Sequence, residues 1–250
     1  MIIVTGMHRS GTSMITNLLM ELGVQFNITE TLFLKDQWNV KGYFEQNEII
    51  DVNSQIITGF DRTKNKLSEW FSQTIYATMP NPKTFNKRAR GQKRQILSIE
   101  KEYAMAMAKD PRFCLTLPYW QDLINIEKYV ICLRDPVECV LSLKRKQHFP
   151  LPLGFRFWHY HIHNLLLWLP KEKVIFIDFN KLSGENYQEE LKQIRTFFNL
   201  NLDTDKVITN YKKVFDKNLI YCKNICNIKL PLRVRDLWDK LIEEKRVKPT

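Results

Sequence analysis

The sequence predicts an α/β fold, a three-layer sandwich with a central, mostly parallel sheet flanked by helices. Two observations predict it. Short β-rich apolar runs recur at residues 2–5, 128–133 and 173–179. Each is followed by a stretch whose apolar residues have helical spacing. Buried strands bracketed by helices read as a parallel sheet with right-handed crossovers. Ligands then collect at the carboxyl ends of the strands.

Along the chain, Ile2–Thr5 is the first strand and Thr12–Leu22 its helix, stopped by Gly23. Residues 24–47 read as irregular. Helices are expected at Glu48–Ile57 and Lys66–Thr78, and Pro80 and Pro82 break the pattern. Thr84–Ala104 reads as one long basic helix. Residues 104–108 fit either a helix end or a short strand leading into Lys109-Asp110-Pro111-Arg112. Leu115–Asn125 is predicted helical despite Pro118 near its start. Lys128–Leu133 is a buried strand and Pro136–Lys146 a helix. An aromatic-rich helix over Phe155–Leu169, a strand over Lys173–Phe179 and a helix over Glu185–Phe198 follow. Leu230–Lys245 closes the chain as an amphipathic helix. A chain of 250 residues can bury one substantial core. The expectation is a single domain over 1–250 with a mainly helical insertion around 48–104.

Composition narrows the function classes. The hydrophobic share of 44% and charged share of 26% are those of an ordinary globule. Eight glycines and ten prolines argue against long disordered linkers. No apolar run reaches membrane-spanning length. The chain opens on a core strand with no charged leader before it, so no signal peptide is expected. Cys114, Cys132, Cys139, Cys222 and Cys226 are an odd number in a long chain, which argues for free, mostly buried thiols. The net charge of +11 implies polyanionic partners: nucleic acid, an anionic nucleotide or an acidic polysaccharide. One local cluster, Lys83, Lys87, Arg88, Arg90, Lys93 and Arg94, also fits a solvated helix face.

The first motif is Gly6-Met7-His8-Arg9-Ser10-Gly11-Thr12-Ser13, between a buried strand and an apolar helix. Such a junction makes a phosphate cradle, because unpaired helix-start N–H groups and the helix dipole favour an anion. A glycine-bounded turn also serves as a mere tight connection. The glycine spacing is that of Gly-x-x-x-x-Gly-Lys-Ser/Thr, but Thr12 stands where the lysine belongs and Arg9 lies inside the loop. The loop suits a phosphate-like group better than ATP chemistry.

The second motif closes the strand 128–133 with Arg134-Asp135-Pro136, and Ser142 follows almost two helical turns in. An Arg–Ser pair there can hold a phosphate, with a bidentate guanidinium and a hydroxyl donor. The competing reading pairs Arg134 with a nearby carboxylate and leaves Ser142 as a helix filler.

Gly-x-x-Arg-Ser-Gly-Thr-Ser resembles the 5′-phosphosulfate loop of the sulfotransferase family. The segment from Tyr129 to Ser142 resembles that family's 3′-phosphate-binding motif. Asn39-Val40-Lys41-Gly42-Tyr43-Phe44-Glu45 and Lys109-Asp110-Pro111-Arg112 look like segments of bacterial-type and carbohydrate-type members. The resemblance covers residues 1–200 or so. Val174–Leu182 sits where the family often has a strand followed by Tyr-Glu-Asp-Leu, and here Phe179-Asn180 replaces the acidic pair. The glycine-rich C-terminal phosphate loop of the cytosolic small-molecule enzymes is absent, which leaves Arg233 or Arg235 as stand-ins.

The resemblance implies a P-loop-type sandwich and transfer of a sulfuryl group from 3′-phosphoadenosine 5′-phosphosulfate (PAPS) to an acceptor hydroxyl. The acceptor expected by resemblance is a carbohydrate, and the product nucleotide is 3′,5′-adenosine bisphosphate (PAP). With no membrane anchor expected, the enzyme reads as cytoplasmic. The cradle falls to Arg9, Ser10, Gly11, Thr12 and Ser13, with Arg9 neutralising charge at the transferring group. Arg134 and Ser142 take the 3′-phosphate. No metal is expected, because backbone N–H groups and cations suffice for the less charged sulfuryl group. The base must be a carboxylate or histidine within reach of that group. Glu45 is the first candidate by resemblance, Glu30 the second and Asp110 the third, with Lys109 stabilising the leaving group. Each carboxylate also fits a surface charge or helix cap.

His159 and His163, one helical turn apart, raise a metal reading, but no matched carboxylate or cysteine is evident. A packed aromatic helix fits better. His8 is placed to touch the donor. Two rivals remain. One is a kinase with a degenerate P-loop, whose magnesium-holding Asp would be Asp178. The other is a non-catalytic nucleotide- or nucleic-acid-binding module, which needs aromatic-interleaved basic strands not evident here.

Overall fold

The computed structural model describes residues 1–27, 42–59, 82–216 and 228–247. Four strands form one all-parallel sheet in the order β2-β1-β3-β4: β1 (Ile2–Gly6), β2 (Met107–Lys109), β3 (Lys128–Leu133) and β4 (Val174–Asp178). Ten helices flank it among the described residues: α1 (Thr12–Glu21), α2 (Asn47–Thr58), α3 (Pro82–Glu102), α4 (Phe113–Gln121), α5 (Pro136–Gln147), α6 (Leu151–Trp168), α7 (Phe179–Leu182), α8 (Tyr187–Phe197), α9 (Thr204–Val214) and α10 (Leu232–Val247).

Strand alternation sorts the core into two layers. Ile3, Tyr129, Ile131, Leu133, Val174 and Phe176 face one cluster, built with α2 to α6 and α10. Ile2, Val4, Val130, Cys132, Ile175 and Ile177 face the other, built with α1, α8 and α9. Both faces are covered, which is why the strands read as unbroken apolar runs.

The chain leaves β1 through α1 on one face and leaves β3 through α5 on the other. β1 and β3 are neighbours in register, with Gly6 beside Cys132. Their carboxyl ends therefore flank the switch point of the sheet, where ligands of open α/β sheets bind.

Several boundaries differ from the sequence reading, for identifiable reasons. Residues 107–109 are a strand because Ile2 and Val4 offer an open parallel edge. Helix α4 starts at Phe113 and ends at Gln121, earlier than Leu115–Asn125 at both ends, because Asp110 and Pro111 carbonyls already accept from Phe113 and Cys114. Helix α6 begins at Leu151, with Pro152 in its first turn, where the missing N–H costs nothing. Phe179 ends no strand; it opens α7, capped by Asp178. Helix α9 is absent from the sequence reading, although Asp203 caps it through Lys206 N–H. The helix expected at 66–78 and Cys222 and Cys226 lie outside the described residues. Cys114, Cys132 and Cys139 are free and buried, and burial pushes the Cys114 and Cys139 thiols up to about 12.

Candidate active site

The β1–α1 junction has the geometry of an open anion cradle. The chain turns through Arg9 at φ 69° and Gly11 at φ 90°. A Cβ on Gly11 would lie 2.2 Å from the Phe179 ring, so only glycine fits both the backbone and the space. Helix α1 starts with no side-chain cap and no acidic residue in its first turn. The N–H groups of Thr12 and Ser13 have no carbonyl one turn back to bond, and the helix dipole adds positive potential there. Ser10 turns inward: its N–H donates to Met7 O at 3.0 Å, and its buried hydroxyl has no hydrogen-bond partner.

The β3–α5 junction is closed by contrast. Asp135 caps α5 by accepting from Val137 and Glu138 N–H, and Pro136 fills the first helical position. What this junction offers is its side chains. Arg9 Nε donates to Ser142 Oγ at 2.9 Å, and Arg134 Nη1 donates to Arg9 O at 3.0 Å. Three residues from two distant motifs thus form one cluster across the switch point. Arg134 also donates to Glu138 Oε2 at 2.7 Å and lies 4.8 Å over the Phe179 ring. The carboxylate pairing weighed for Arg134 and its place beside the cradle are both present.

A third wall comes from β2 and the segment before α2. Lys109 Nζ donates to Glu45 Oε1 at 2.5 Å, to Tyr43 O at 3.0 Å and to Ser13 Oγ at 3.3 Å. Ser13 Oγ in turn donates to Tyr43 O. A lysine from another strand end therefore reaches the first turn of α1. It supplies beside the cradle the cation that the loop's own sequence lacks at Thr12. Arg112 Nη1 stands between Asp110 Oδ1 at 3.0 Å and Glu45 Oε2 at 3.7 Å.

Asp110 lies deeper, fully buried. It accepts from Asn53 Nδ2 and from Arg112 N–H and Nη1, and Asn53 Oδ1 accepts from Thr116 and Trp120. Burial pushes the Asp110 carboxyl up, and Arg112 opposes that shift. Of the two described carboxylates considered for the base, Glu45 is the one bonded to the cradle's lysine. Asp110 sits behind Arg112 and orients it. Glu30 lies outside the described residues.

His8 is half-buried in the loop, its ring stacked on Phe157 at 5.5 Å and edge-on to His161 at the same centroid distance. Burial of the rings lowers both, His8 well below the ordinary range and His161 to about 4. His159 and His163 stack at 5.7 Å. Among the described residues no group of three or more His, Cys, Asp or Glu could hold a metal. Asp178 accepts from Asn180 and Lys181 N–H, so its carboxylate is engaged in capping α7.

Sequence reasoning missed Phe179, Asn180 and Arg112 as site residues. Phe179 fits against Gly11 and under Arg134, and Asn180 Oδ1 accepts Asp135 N–H at 2.8 Å. These two stand where the acidic pair was expected, and they tie β4 to both junctions. The signal for Arg112 was present in Lys109-Asp110-Pro111-Arg112.

An all-parallel sheet with an uncapped glycine-bounded loop after its first central strand defines a P-loop-like α/β sandwich. No protein-family model matches the sequence, and no curated protein does. The fold itself is that of sulfotransferase domains. One is the sulfotransferase domain from the Synechococcus PCC 7002 olefin synthase, with a TM-score of 0.54 at 15% identity, covering 97% of this chain and 94% of that one. Another is the sulfotransferase domain from the curacin biosynthetic pathway, with a TM-score of 0.57 at 12% identity, covering 96% of both chains. No described helix is long and apolar enough to cross a membrane.

Proposed function

We propose that this protein is a sulfotransferase that moves a sulfuryl group from PAPS to an acceptor hydroxyl. The observation that carries the reading is the cluster Arg9–Ser142 and Arg134–Arg9 across the switch point. It joins an uncapped helix start to a second phosphate-binding pair, as a nucleotide with phosphates at two ends requires. The residues fit such a donor on two further grounds: Gly11 leaves no side chain over the loop, and α1 has no competing cap.

The donor supplies the activated sulfuryl group. Arg9 and the N–H groups of Gly11, Thr12 and Ser13 hold its 5′ end, and Arg134 with Ser142 its 3′-phosphate. Lys109, already against Ser13, neutralises charge on the leaving phosphate. Glu45 takes the acceptor proton at its carboxylate. In the resting site Lys109 and Arg112 both face Glu45, at 2.5 and 3.7 Å, and so fix its position. Asp110 and Asn53 hold Arg112 and so fix Glu45. No metal step is needed in this scheme.

A carbohydrate hydroxyl is the acceptor we favour, supported by the net charge of +11. A cytoplasmic setting belongs to the same reading. Against a kinase stands the capping role of Asp178. Calorimetry with PAP, AMP and magnesium-ATP tests the donor: PAP should bind best and without magnesium, and equal affinity for AMP removes the second anchor. Glu45→Gln should leave PAP affinity within about twofold and lower turnover ~10²–10⁴-fold, the usual worth of a general base. An unchanged rate transfers the role from Glu45.

A further inference from the structure

We infer that the exposed face of α3 is a docking surface for an anionic polysaccharide. Lys87, Arg90, Arg94 and Lys101 are all exposed. At 3.6 residues per turn they fall within about 60° of arc and span about 21 Å of helix. Lys93 flanks the stripe. From residue 82 to 99 the sequence has no Asp or Glu. Among the described residues none of these five cations has an ion-pair partner. The opposite face of α3 carries Phe85, Ala89, Ile96 and Ile99, all buried in the core against α2. The stripe therefore points away from the body of the protein.

A solvated helix face normally mixes signs, with acids placed to pair at i,i+4. Here Lys87–Arg90 and Arg90–Arg94 are like-charged neighbours, which destabilise the helix they sit on. Over 82–99 this run of one sign, unpaired and self-repelling, is compensated when a polyanion lies along it; Lys101 extends the exposed stripe between Glu100 and Glu102.

The chemistry of the face selects the polyanion. A membrane-binding helix needs exposed apolar side chains to insert, and those of α3 are spent on the core. Single-stranded nucleic acid needs aromatic platforms, and the exposed residues of α3 include none. A hydrophilic chain with regularly spaced carboxylates or sulfates asks only for spaced cations. Its hydroxyls also match the proposed reaction, so the inference deepens the sulfotransferase reading, on which the acceptor role rests. Helix α3 runs into β2, whose last residue is Lys109, so the surface and the site share one continuous segment.

The test titrates the full chain with chondroitin sulfate, hyaluronate, neutral dextran, a short DNA duplex and phosphatidylserine vesicles at low ionic strength. The two anionic polysaccharides should bind and dextran should not. The variant K87Q/R90Q/R94Q/K101Q, altered only at exposed side chains, should lose at least ~10-fold in polysaccharide affinity. Its thermal shift with PAP should match the parent's. A control of equal charge change elsewhere, K171Q/K192Q/K206Q/K212Q, should lose far less. An equal loss in the control makes the effect one of bulk charge and overturns the proposal. So does unchanged affinity in the α3 variant, or tighter binding of the duplex or the vesicles than of either polysaccharide. A parent that binds polysaccharide but gives no shift with PAP upholds the docking surface and overturns the donor reading with the acceptor role.

Discussion

The β1–α1 and β3–α5 junctions stand side by side on one sheet edge, yet they are built on opposite principles. At β3–α5, Asp135 accepts two helix-start N–H groups and Pro136 removes the need for another. Its helix is complete without a ligand. At β1–α1, Gly11 contributes no side chain, the first turn has no acid, and the donors stay open. The β4–α7 junction follows the capped plan through Asp178. An anion site at a helix start thus depends on which cap is left out as much as on which cations are nearby. The capped junction contributes through side chains, Arg134 just before the cap and Ser142 almost two turns into α5, both bonded to Arg9.

Four substitutions sharpen or break this contrast, in falling order of effect. Ser13→Asp gives α1 the first-turn acid it lacks and places it beside Lys109. Thermal stability should hold or rise, by roughly 0.5 kcal/mol through the helix dipole. PAP affinity should fall at least ~100-fold, about 2.7 kcal/mol. Calorimetry showing near-parental affinity would mean that the open helix start is not the anion site. Arg134→Ala should weaken PAP at least ~30-fold, about 2 kcal/mol, and leave AMP unaffected. Equal loss of both ligands, or unfolding, would make Arg134 a structural ion-pair residue serving Glu138.

Glu138→Gln probes the same point from the other side. The Glu138 carboxylate lies 2.7 Å from Arg134 Nε, where on the proposed reading it would compete with a 3′-phosphate. Its neutral amide should strengthen PAP roughly 3- to 10-fold, and a weaker complex would show that Glu138 holds Arg134 in its productive position. The smallest effect belongs to the cap. Asp135→Ala should cost about 1 kcal/mol in a urea titration and change PAP affinity little. A large loss of affinity there would show that the closed junction binds the ligand through its backbone after all.

Much of this was legible in order along the chain. The apolar runs at 2–5 and 128–133 marked the central strands, because strands covered on both faces carry no polar alternation. Gly11 was legible as a special position because its neighbours Arg9 and Ser10 are followed at once by a helical period. Lys109, Asp110 and Glu45 were legible only as candidates. Their separate partners were not, since those come from distant segments. Lys109 and Glu45 meet at the cradle, while Asp110 accepts from Asn53, which itself accepts from Thr116 and Trp120, and each of these bonds joins residues more than fifty positions apart. The packing of His8, adjacent to Arg9, against Phe157 and His161 was not legible, since those rings lie about 150 positions away. Helix α9 was missed although its buried Val207, Tyr211 and Val214 stand at i, i+4 and i+7, because polar and basic residues fill most of the segment around them.

The sequence by itself determined the alternation of strand and helix, the glycine-bounded turn, and the residues of the two motifs that meet at the switch point. Local backbone preference and apolar periodicity act between near neighbours, and both are written in consecutive residues. Only the tertiary structure decided which strands are neighbours, and with that everything the site does. Placing β3 beside β1 brings Arg134 to Arg9. Adding β2 on the other side delivers Lys109 to Ser13 in place of the missing loop lysine. Ending β4 at Asp178 sets Phe179 against Gly11. The physical reason is that strand order is set by the burial of whole sheet faces between helix layers. That is a sum over the entire core, which no single segment encodes.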